Sequence, residues 1–262
     1  MSFLIRLSII LLGTLSIAQL QAQTPEEKGL EIAKEIKARD LGWGDSQSDL
    51  TMILRDRKGR EVVREMSSKS LEVEGDGDKG LTVFSTPLDV KGTAFLSFSH
   101  IVGDDDQWLY LPALKRVKRI ASRNKSGPFL GSEFAFEDLS SFEVEKNTYK
   151  YLRDEACGDL TCYVVEMDPV DKFSGYTRVV AWIDQDHYRV QKIDFYDRRD
   201  TLLKTLTIEG YQLYKDKYWR ADKQMMVNHK NGKSTDILVK NIQFDTGLTD
   251  ADFNEKKLAR AR

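Results

Sequence analysis

The sequence WLYLPALKRVKRI, at residues 108–120, combines two features that recur along the chain: alternating apolar side chains and clustered charge. It begins as a β-strand, turns at Pro112, and resumes with apolar residues spaced among cations. Those cations are Lys115, Arg116, Lys118 and Arg119. One interpretation is the solvated face of a strand, and the other is a rim that contacts anionic lipid headgroups or an acidic partner.

A Phe-rich stretch, SGPFLGSEFAFEDL at residues 126–139, follows this run. Strand alternation fails between residues 115 and 142, and residues 132–139 are long enough for two helical turns. The chain breakers of the stretch are Gly127, Pro128 and Gly131, and its aromatic residues are Phe129, Phe134 and Phe136. The segment is either a lid over the β-structure or a connector that buries its aromatic side chains in the common core.

On both sides of these stretches, apolar residues recur at every second position, which predicts β-strands. The predicted strands cover residues 48–54, 62 onward, 81–85, 93–99, 107–111, 177–183, 188–195, 203–213, 218–227 and 235–244. Short polar turns join the last five into an antiparallel meander. About ten strands are too many for a flat sheet and favour strong curvature or a barrel, so the chain is predicted to be mainly β with a few helices.

One helix is predicted at Pro25–Arg39. Thr24 is suited to the N-cap, Pro25 to the first helical position, and Glu27 completes a capping box. Apolar residues at helical spacing then place one apolar stripe against the rest of the protein.

The first 22 residues resemble a secretory signal peptide. Arg6 precedes an apolar run at residues 7–15 that is too short to span a membrane, and small residues follow it. Cleavage is expected after Ala22 or after Ala18. Since no cysteine lies near either junction to accept a lipid, residues 23–262 are expected to form a single, soluble domain in the periplasm.

Cys157 and Cys162 are the only cysteines in the chain. In an oxidising compartment their spacing predicts a disulfide across a hairpin tip. A redox-active pair is the alternative, but such pairs usually have two intervening residues beside a helix N-terminus.

Several functional classes lack support in the sequence. The net charge of −2 becomes −3 without the signal peptide, which argues against nucleic acid as a partner. The three histidines, His100, His187 and His229, have no second ligand at metal-binding spacing. No nucleophile elbow, phosphate loop or dinucleotide motif is present. We therefore expect neither a metal, nor a cofactor, nor an enzyme.

The two stretches at residues 108–120 and 126–139 together resemble the LolA-like family of periplasmic outer-membrane lipoprotein-sorting proteins. The resemblance extends more loosely from the predicted helix to the ending FDTGLTDADF at residues 244–253. It is to the broader branch, whose members often accompany exporters of the resistance-nodulation-division type. The resemblance implies an incompletely closed antiparallel barrel with helices over its mouth, holding acyl chains inside.

A periplasmic carrier of lipoprotein acyl chains or another lipid towards the outer membrane is the function we expect. Each buried methylene contributes about 0.8 kcal/mol, so one acyl chain binds well in a dry cavity. The candidate cavity and lid residues are Trp108, Tyr110, Leu114, Phe129, Phe134, Phe136, Phe142 and Trp182. The partner would be an inner-membrane exporter or a lipoprotein-releasing transporter. The alternative is an accessory or adaptor subunit of such an exporter, whose cavity is filled by its own side chains.

Overall fold

The computed structural model describes residues 23–261, so the predicted signal peptide lies outside the described residues. The helix is α1 (Pro25–Arg39), and the strands are β1 (Asp45–Arg55), β2 (Glu61–Leu71), β3 (Lys79–Thr86), β4 (Ala94–Phe98), β5 (Asp106–Leu111), β6 (Arg116–Ile120), β7 (Asn147–Cys157), β8 (Leu160–Pro169), β9 (Tyr176–Asp184), β10 (Val190–Asp197), β11 (Leu202–Tyr214), β12 (Tyr218–Asn228) and β13 (Ser234–Phe244). Short 3₁₀ helices lie at Pro112–Leu114, Ser122–Asn124, Phe136–Leu139, Val144–Lys146, Asp250–Asp252 and Glu255–Arg260. None of the helices among the described residues is long and apolar enough to cross a membrane.

The strands form one antiparallel sheet of 13 strands in which β6 and β7 are the two edges. Neighbouring strands follow one another along the chain, except that β1 pairs with β13 and joins the two halves. Because the two edge strands do not pair with each other, the barrel is incompletely closed. The mainly β, open-barrel fold predicted from the sequence is thus confirmed.

The predicted strand count was too low, because β6, β7 and β8 were not recognised as full strands. In β6 three of the five residues are cationic, and β7 is mostly exposed and highly charged. Both are edge strands, and one side of an edge strand faces solvent. Their apolar alternation is therefore weak, although they pair over their full length.

Helix α1 has the predicted bounds and the predicted cap. The Glu27 backbone N–H donates to Thr24 Oγ1 over 3.1 Å, and the Thr24 backbone N–H donates to Glu27 Oε2 over 2.8 Å. The buried side of the helix, at Ile32 and Ala33, packs on inward side chains of β7, β8 and β9. Helix α1 therefore covers one part of the concave face of the sheet.

The main apolar cluster lies on the concave, inner face. Its members on the strands are Met52, Met66, Phe84, Phe95, Leu109, Ile120, Val179, Phe195, Leu206, Met226 and Ile237. Side chains of the edge strand β6 and of β9, near the opposite edge, can share one cluster only if the sheet curls around it. The strands therefore enclose a common interior.

Two further apolar clusters lie on the outer face of the sheet. Phe253 and Leu258, from the chain after β13, pack on outward side chains of β3 and β4. At the other half of the sheet, Cys162, Val164 and Trp182 form a smaller outer cluster. Both faces of the sheet are thus partly buried, but by different segments.

Gly29 allows α1 to lie directly on β7. A Cβ atom at Gly29 would come within 2.8 Å of the Tyr151 backbone nitrogen and 2.9 Å of the Lys150 backbone nitrogen. Alanine favours a helix over glycine by about 1 kcal/mol, but here we expect Gly29→Ala to lower the free energy of unfolding by about 1 to 3 kcal/mol through overpacking. Urea denaturation measures this. The exposed Lys34→Ala is the control, and a stabilised Gly29→Ala would show that the helix is not held this close.

The predicted disulfide is confirmed. Cys157 and Cys162 are bonded, with Cα atoms 5.9 Å apart, at the turn that joins β7 to β8. The side chain of Cys162 is fully buried beside Val164.

We expect Cys157→Ala/Cys162→Ala to lower the free energy of unfolding by about 2 kcal/mol, because so short a loop restricts the unfolded chain only weakly. Alanine is preferred to serine, since a hydroxyl at the buried Cys162 position would lack a partner. Acyl-probe binding should stay within about twofold, because the pair lies on the outer face. Strongly impaired binding in the folded variant would contradict this.

Candidate functional site

The chain between the edge strands β6 and β7, residues 121–146, enters the interior of the barrel; we call it the inserted segment. Its Phe129, Phe134 and Phe136 are 2%, 2% and 9% exposed and join the inner-face cluster. The Phe129 ring lies 5.1 Å from Phe95 and 5.5 Å from Phe136, in edge-to-face arrangements. Aromatic side chains of the protein thus occupy the interior.

A tight turn presents these rings to the interior. Leu130 and Gly131 have positive φ angles of 49° and 80°, which reverse the chain. The Phe129 backbone N–H then donates to the Phe134 carbonyl over 2.7 Å. The predicted two-turn helix at 132–139 is wrong: only Phe136–Leu139 is helical, as a 3₁₀ turn. Residues 132–135 instead complete the turn.

Lys204 ties the inserted segment to the sheet. Its ammonium lies 2.5 Å from Asp138 Oδ2 and 2.9 Å from the Glu133 carbonyl oxygen. The Lys204 and Asp138 side chains are 4% and 5% exposed, so this is a buried ion pair. Tyr176 also donates its hydroxyl to Asp138 over 2.7 Å, and burial raises the pKa of Tyr176 well above its usual value. Removal of one partner would leave the other as a buried charge without a counter-ion.

Further polar contacts hold the rest of the segment. Arg64 donates to the Leu130 carbonyl over 2.8 Å, and burial lowers the pKa of Arg64. Glu137 accepts from the Ser174 hydroxyl over 2.8 Å and the Gly175 backbone N–H over 2.9 Å, and burial raises its pKa. Asn228 donates to the Glu133 carboxylate over 2.7 Å. The segment is thus secured by side-chain contacts rather than by strand pairing with β6 or β7.

Sequence reasoning missed Lys204 and Arg64, although a signal for them exists. Both occupy inner-face positions, two residues from Leu206 on β11 and from Met66 on β2. A cation in the apolar phase of a strand needs a partner in the interior. The alternation of β2 and β11 therefore indicates that Arg64 and Lys204 need partners in the interior, but only the tertiary structure identifies those partners.

The predicted cavity residues do not all come together. Phe129, Phe134 and Phe136 reach the interior, and Phe142 packs beside α1. Three others lie on the outer face, namely Trp108 and Tyr110 against the C-terminal segment and Trp182 beside Cys162. Leu114 is 67% exposed at the β5–β6 turn. The expectation that these four residues line the interior is therefore corrected.

Two open clefts adjoin these elements. A groove of about 1100 Å³ lies on the outer face, lined by outward residues of β1 to β3, by Tyr110 and by residues 259–261. A second cleft of about 620 Å³ lies beside the inserted segment and is lined mainly by polar residues, among them Glu133, Lys204 and Asn228. Among residues 23–261, no three His, Cys, Asp or Glu side chains are grouped so that they could hold a metal ion.

The basic run lies along the edge strand β6 and the turn before it. Lys115, Arg116 and Lys118 are exposed and form no ion pair with any residue of the described chain, whereas Arg119 pairs with Asp106. Arg116 and Lys118 lie opposite Leu111 and Leu109 in the sheet. Cations on an edge strand also prevent pairing with another chain, which is the structural alternative to a binding role.

We expect reversal of Lys115, Arg116 and Lys118 to Glu to weaken binding to anionic vesicles at low salt by about a hundredfold or more, since each of the three basic residues near such a surface contributes about 1 kcal/mol. The fold should be unchanged, because the three side chains are exposed. Vesicle co-sedimentation at two salt concentrations measures the effect, which should fade at the higher one. Unchanged binding at low salt would favour the edge-protection role.

Three solved structures are similar to this chain over most of its length. A domain from Vibrio parahaemolyticus, provisionally named as an outer-membrane lipoprotein-sorting protein domain, is 59% identical with a TM-score of 0.88, covering 90% of this chain and 100% of that one. A DUF1329 family protein from Desulfovibrio piger is 30% identical with a TM-score of 0.85, covering 90% and 99%. A LolA superfamily protein from Nitrosomonas europaea is 19% identical with a TM-score of 0.68, covering 86% and 97%, which shows a shared fold.

A family model described as an uncharacterized protein matches residues 76–260, which include the inserted segment and both edge strands. No curated protein matches the chain. The two more similar structures cover nine-tenths of the chain at 59% and 30% identity, and the open barrel agrees with the LolA superfamily fold. The chain therefore belongs to the same family as the Vibrio parahaemolyticus domain and the Desulfovibrio piger DUF1329 protein, and it shares the fold of the LolA superfamily protein.

Proposed function

We propose that this protein carries acyl chains of a lipid or lipoprotein through the periplasm, between the inner face of the barrel and the inserted segment. The observation that supports this is the way the interior is filled. Phe129, Phe134 and Phe136 occupy it, yet their segment is tied to the sheet by polar side chains and not by strand hydrogen bonds. Such a segment can leave without breaking the sheet.

Cargo would replace these aromatic rings. An acyl chain that enters the interior exchanges one set of apolar contacts for another, so the inner-face cluster stays covered. Each methylene taken out of water contributes about 0.8 kcal/mol. Breaking the contacts of Lys204 and Arg64 opposes entry and so limits affinity. Release would follow when the segment returns, without any catalysed reaction.

A cross-linking experiment tests carriage. The Glu133 backbone N–H donates to Thr235 Oγ1 over 3.0 Å, so these two residues are close enough for a short cross-linker to join cysteines at both positions. In Glu133→Cys/Thr235→Cys, a short bismaleimide should hold the inserted segment in place and lower the affinity for a dansyl fatty acid by about tenfold or more. The native disulfide leaves no other free thiol.

The unreacted double variant and the bismaleimide-treated Thr235→Cys variant are the controls, and both should bind the probe. Equal binding before and after cross-linking would place the probe outside the interior. Failure of the parent protein to bind any acyl probe would remove carriage altogether.

An accessory subunit of an envelope exporter is the second candidate. The observation that favours it is the filled interior, since an adaptor needs no space for cargo. Native mass spectrometry of the protein purified from its own envelope distinguishes the two functions. A bound lipid supports the carrier, whereas a lipid-free protein that co-purifies with an inner-membrane exporter supports the accessory subunit.

A further inference from the structure

A cleft of about 280 Å³ lies where the C-terminal end of α1 meets the β9–β10 and β11–β12 turns. In an antiparallel barrel these turns lie at the opposite end from those next to Lys204 and Thr235, which anchor the inserted segment. The cleft is therefore distant from the contacts at Lys204 and Thr235, although Ser141 and Phe142, near the end of the inserted segment, form part of its lining. Its volume is near the lower end of the range of about 300 to 1,000 Å³ for small-molecule pockets, which suits a headgroup rather than a whole lipid.

Five cations line this cleft, against two carboxylates. The cations are Lys37, Arg39, Arg189, Lys217 and Arg220, and the carboxylates are Asp40 and Asp78. Burial raises the pKa of Asp78 to about 6, so this carboxyl loses its negative charge only in mildly acidic solution. The lining is thus rich in hydrogen-bond donors that carry positive charge.

Acidic residues orient the cations but leave donors free. Arg189 Nε pairs with Asp184 over 2.8 Å, and Lys37 pairs with Glu143 over 2.9 Å. Asp184 and Glu143 do not line the cleft. Arg220 uses one terminal nitrogen, which lies 2.6 Å from Asp40 and 3.0 Å from the Trp219 carbonyl oxygen.

The remaining two cations, Arg39 and Lys217, are held mainly by hydrogen bonds to backbone carbonyl groups and, for Arg39, by one ion pair. Arg39 pairs through Nε with Glu35 over 2.7 Å and donates through another nitrogen to the Asp186 carbonyl over 3.3 Å. Lys217 donates to the Leu41 carbonyl over 2.6 Å and has no carboxylate partner among residues 23–261. The two arginines of α1 and β12, Arg39 and Arg220, therefore keep unused N–H groups beside a cation that lacks an acidic partner.

Aromatic rings fix the guanidinium planes. Arg189 lies 4.6 Å from the Trp219 ring and Arg39 lies 4.4 Å from the Tyr188 ring. The His187 ring packs on Trp219 in a tilted arrangement, with the ring centroids 4.9 Å apart. Stacked guanidinium groups are held in a fixed orientation, which favours a tetrahedral oxyanion that accepts several N–H bonds at once.

The inner wall of the cleft is apolar and continuous with the interior. Ile36, Phe142, Tyr188 and Val190 line the cleft and also pack on the α1 cluster. That cluster shares Met167 and Ile193 with the main inner-face cluster. A charged group in the cleft would therefore sit at one end of a continuous apolar path.

We propose that this cleft binds the phosphate-bearing headgroup of the lipid whose acyl chains occupy the interior, an assignment that rests on the proposed function. The phosphate accepts hydrogen bonds from Arg39, Arg220 and Lys217, while the chains pass along Ile36 and Val190 towards the inner face. The basic run on β6 has no part in this site.

The test compares two ligands of equal chain length by calorimetry, below their micelle concentrations: a lysophosphatidylglycerol and a monoacylglycerol. The parent protein should bind the lysophospholipid about tenfold or more tightly, because charge-assisted hydrogen bonds add to the same apolar contacts. Arg39→Gln/Arg220→Gln should remove this preference and leave the monoacylglycerol affinity unchanged. Arg116→Gln/Lys118→Gln removes the same charge from β6 and should retain the preference. Lys217→Gln is a milder variant that should reduce the preference without disturbing an ion pair.

Each outcome is decisive. The headgroup site is overturned if the parent protein does not prefer the lysophospholipid, or if both cleft variants keep that preference. Neither result contradicts the proposal that the protein carries acyl chains. If the β6 variant loses the preference to the same extent, the preference arises from general charge attraction and not from a headgroup site. Inorganic phosphate that binds alone as tightly as the lysophospholipid would make the cleft a free-anion site. If neither lipid binds the parent protein, the proposed function fails, and this assignment fails with it.

Discussion

Replacing Phe129 with alanine is expected to lower the free energy of unfolding by about 3 to 5 kcal/mol and to tighten the binding of an acyl probe. Phe129 is 2% exposed and contacts the Phe84, Phe95 and Phe136 rings, so its removal leaves a cavity in the interior. An apolar cavity of this kind takes up apolar ligands. Urea denaturation and titration with a dansyl fatty acid measure the two effects.

Phe253→Ala is the matched control. Phe253 is 3% exposed but belongs to the outer cluster, so its truncation should cost similar stability without changing probe affinity. Weaker probe binding by Phe129→Ala would mean that the ring packs on cargo as a lid instead of competing with it. Unchanged binding in both variants would exclude the interior as the cargo site.

Replacing Lys204 with methionine is expected to lower the free energy of unfolding by about 3 to 5 kcal/mol, because Asp138 is left as a buried charge without its partner. The two side chains are 4% and 5% exposed and 2.5 Å apart. The inserted segment should also loosen, which raises the affinity for the acyl probe. Hydrogen exchange at the backbone amides of residues 129–138 reports the loosening directly.

The double variant Lys204→Met/Asp138→Asn removes both charges of the ion pair but keeps a hydrogen-bonding side chain at position 138. The single acceptor oxygen of asparagine can still accept from the Ala135 backbone N–H, and its amide N–H can donate to the Tyr176 hydroxyl oxygen in place of the bond that Asp138 accepts. Much of the lost stability should return, while the inserted segment stays less protected than in the parent protein. A double variant no more stable than Lys204→Met would show that the ion pair itself, and not an unpaired charge, determines the stability.

Local patterns predicted much of the fold. The capping box at Thr24 to Glu27 depends on residues three apart, and the disulfide on residues within one hairpin. The strands of the C-terminal meander were predicted within about two residues of their observed ends, because half-buried antiparallel strands alternate strongly. The edge strands β6 and β7 lack that alternation and were not predicted as full strands, and neither was β8, which pairs with β7.

By itself the sequence determined helix α1 and ten of the strands in their order, since capping, alternation and turn chemistry act between near neighbours. It also determined the family, through the residues at 108–120 and 126–139. Only the tertiary structure decided which face each strand turns inward, and so placed Phe129 in the interior but Trp108 and Trp182 outside. Both kinds of residue look alike in the sequence, because each face of this sheet buries apolar side chains. The contacts of Lys204 with Asp138 and of Arg39 with the Asp186 carbonyl likewise depend on the curvature of the sheet, which brings together residues far apart in the chain.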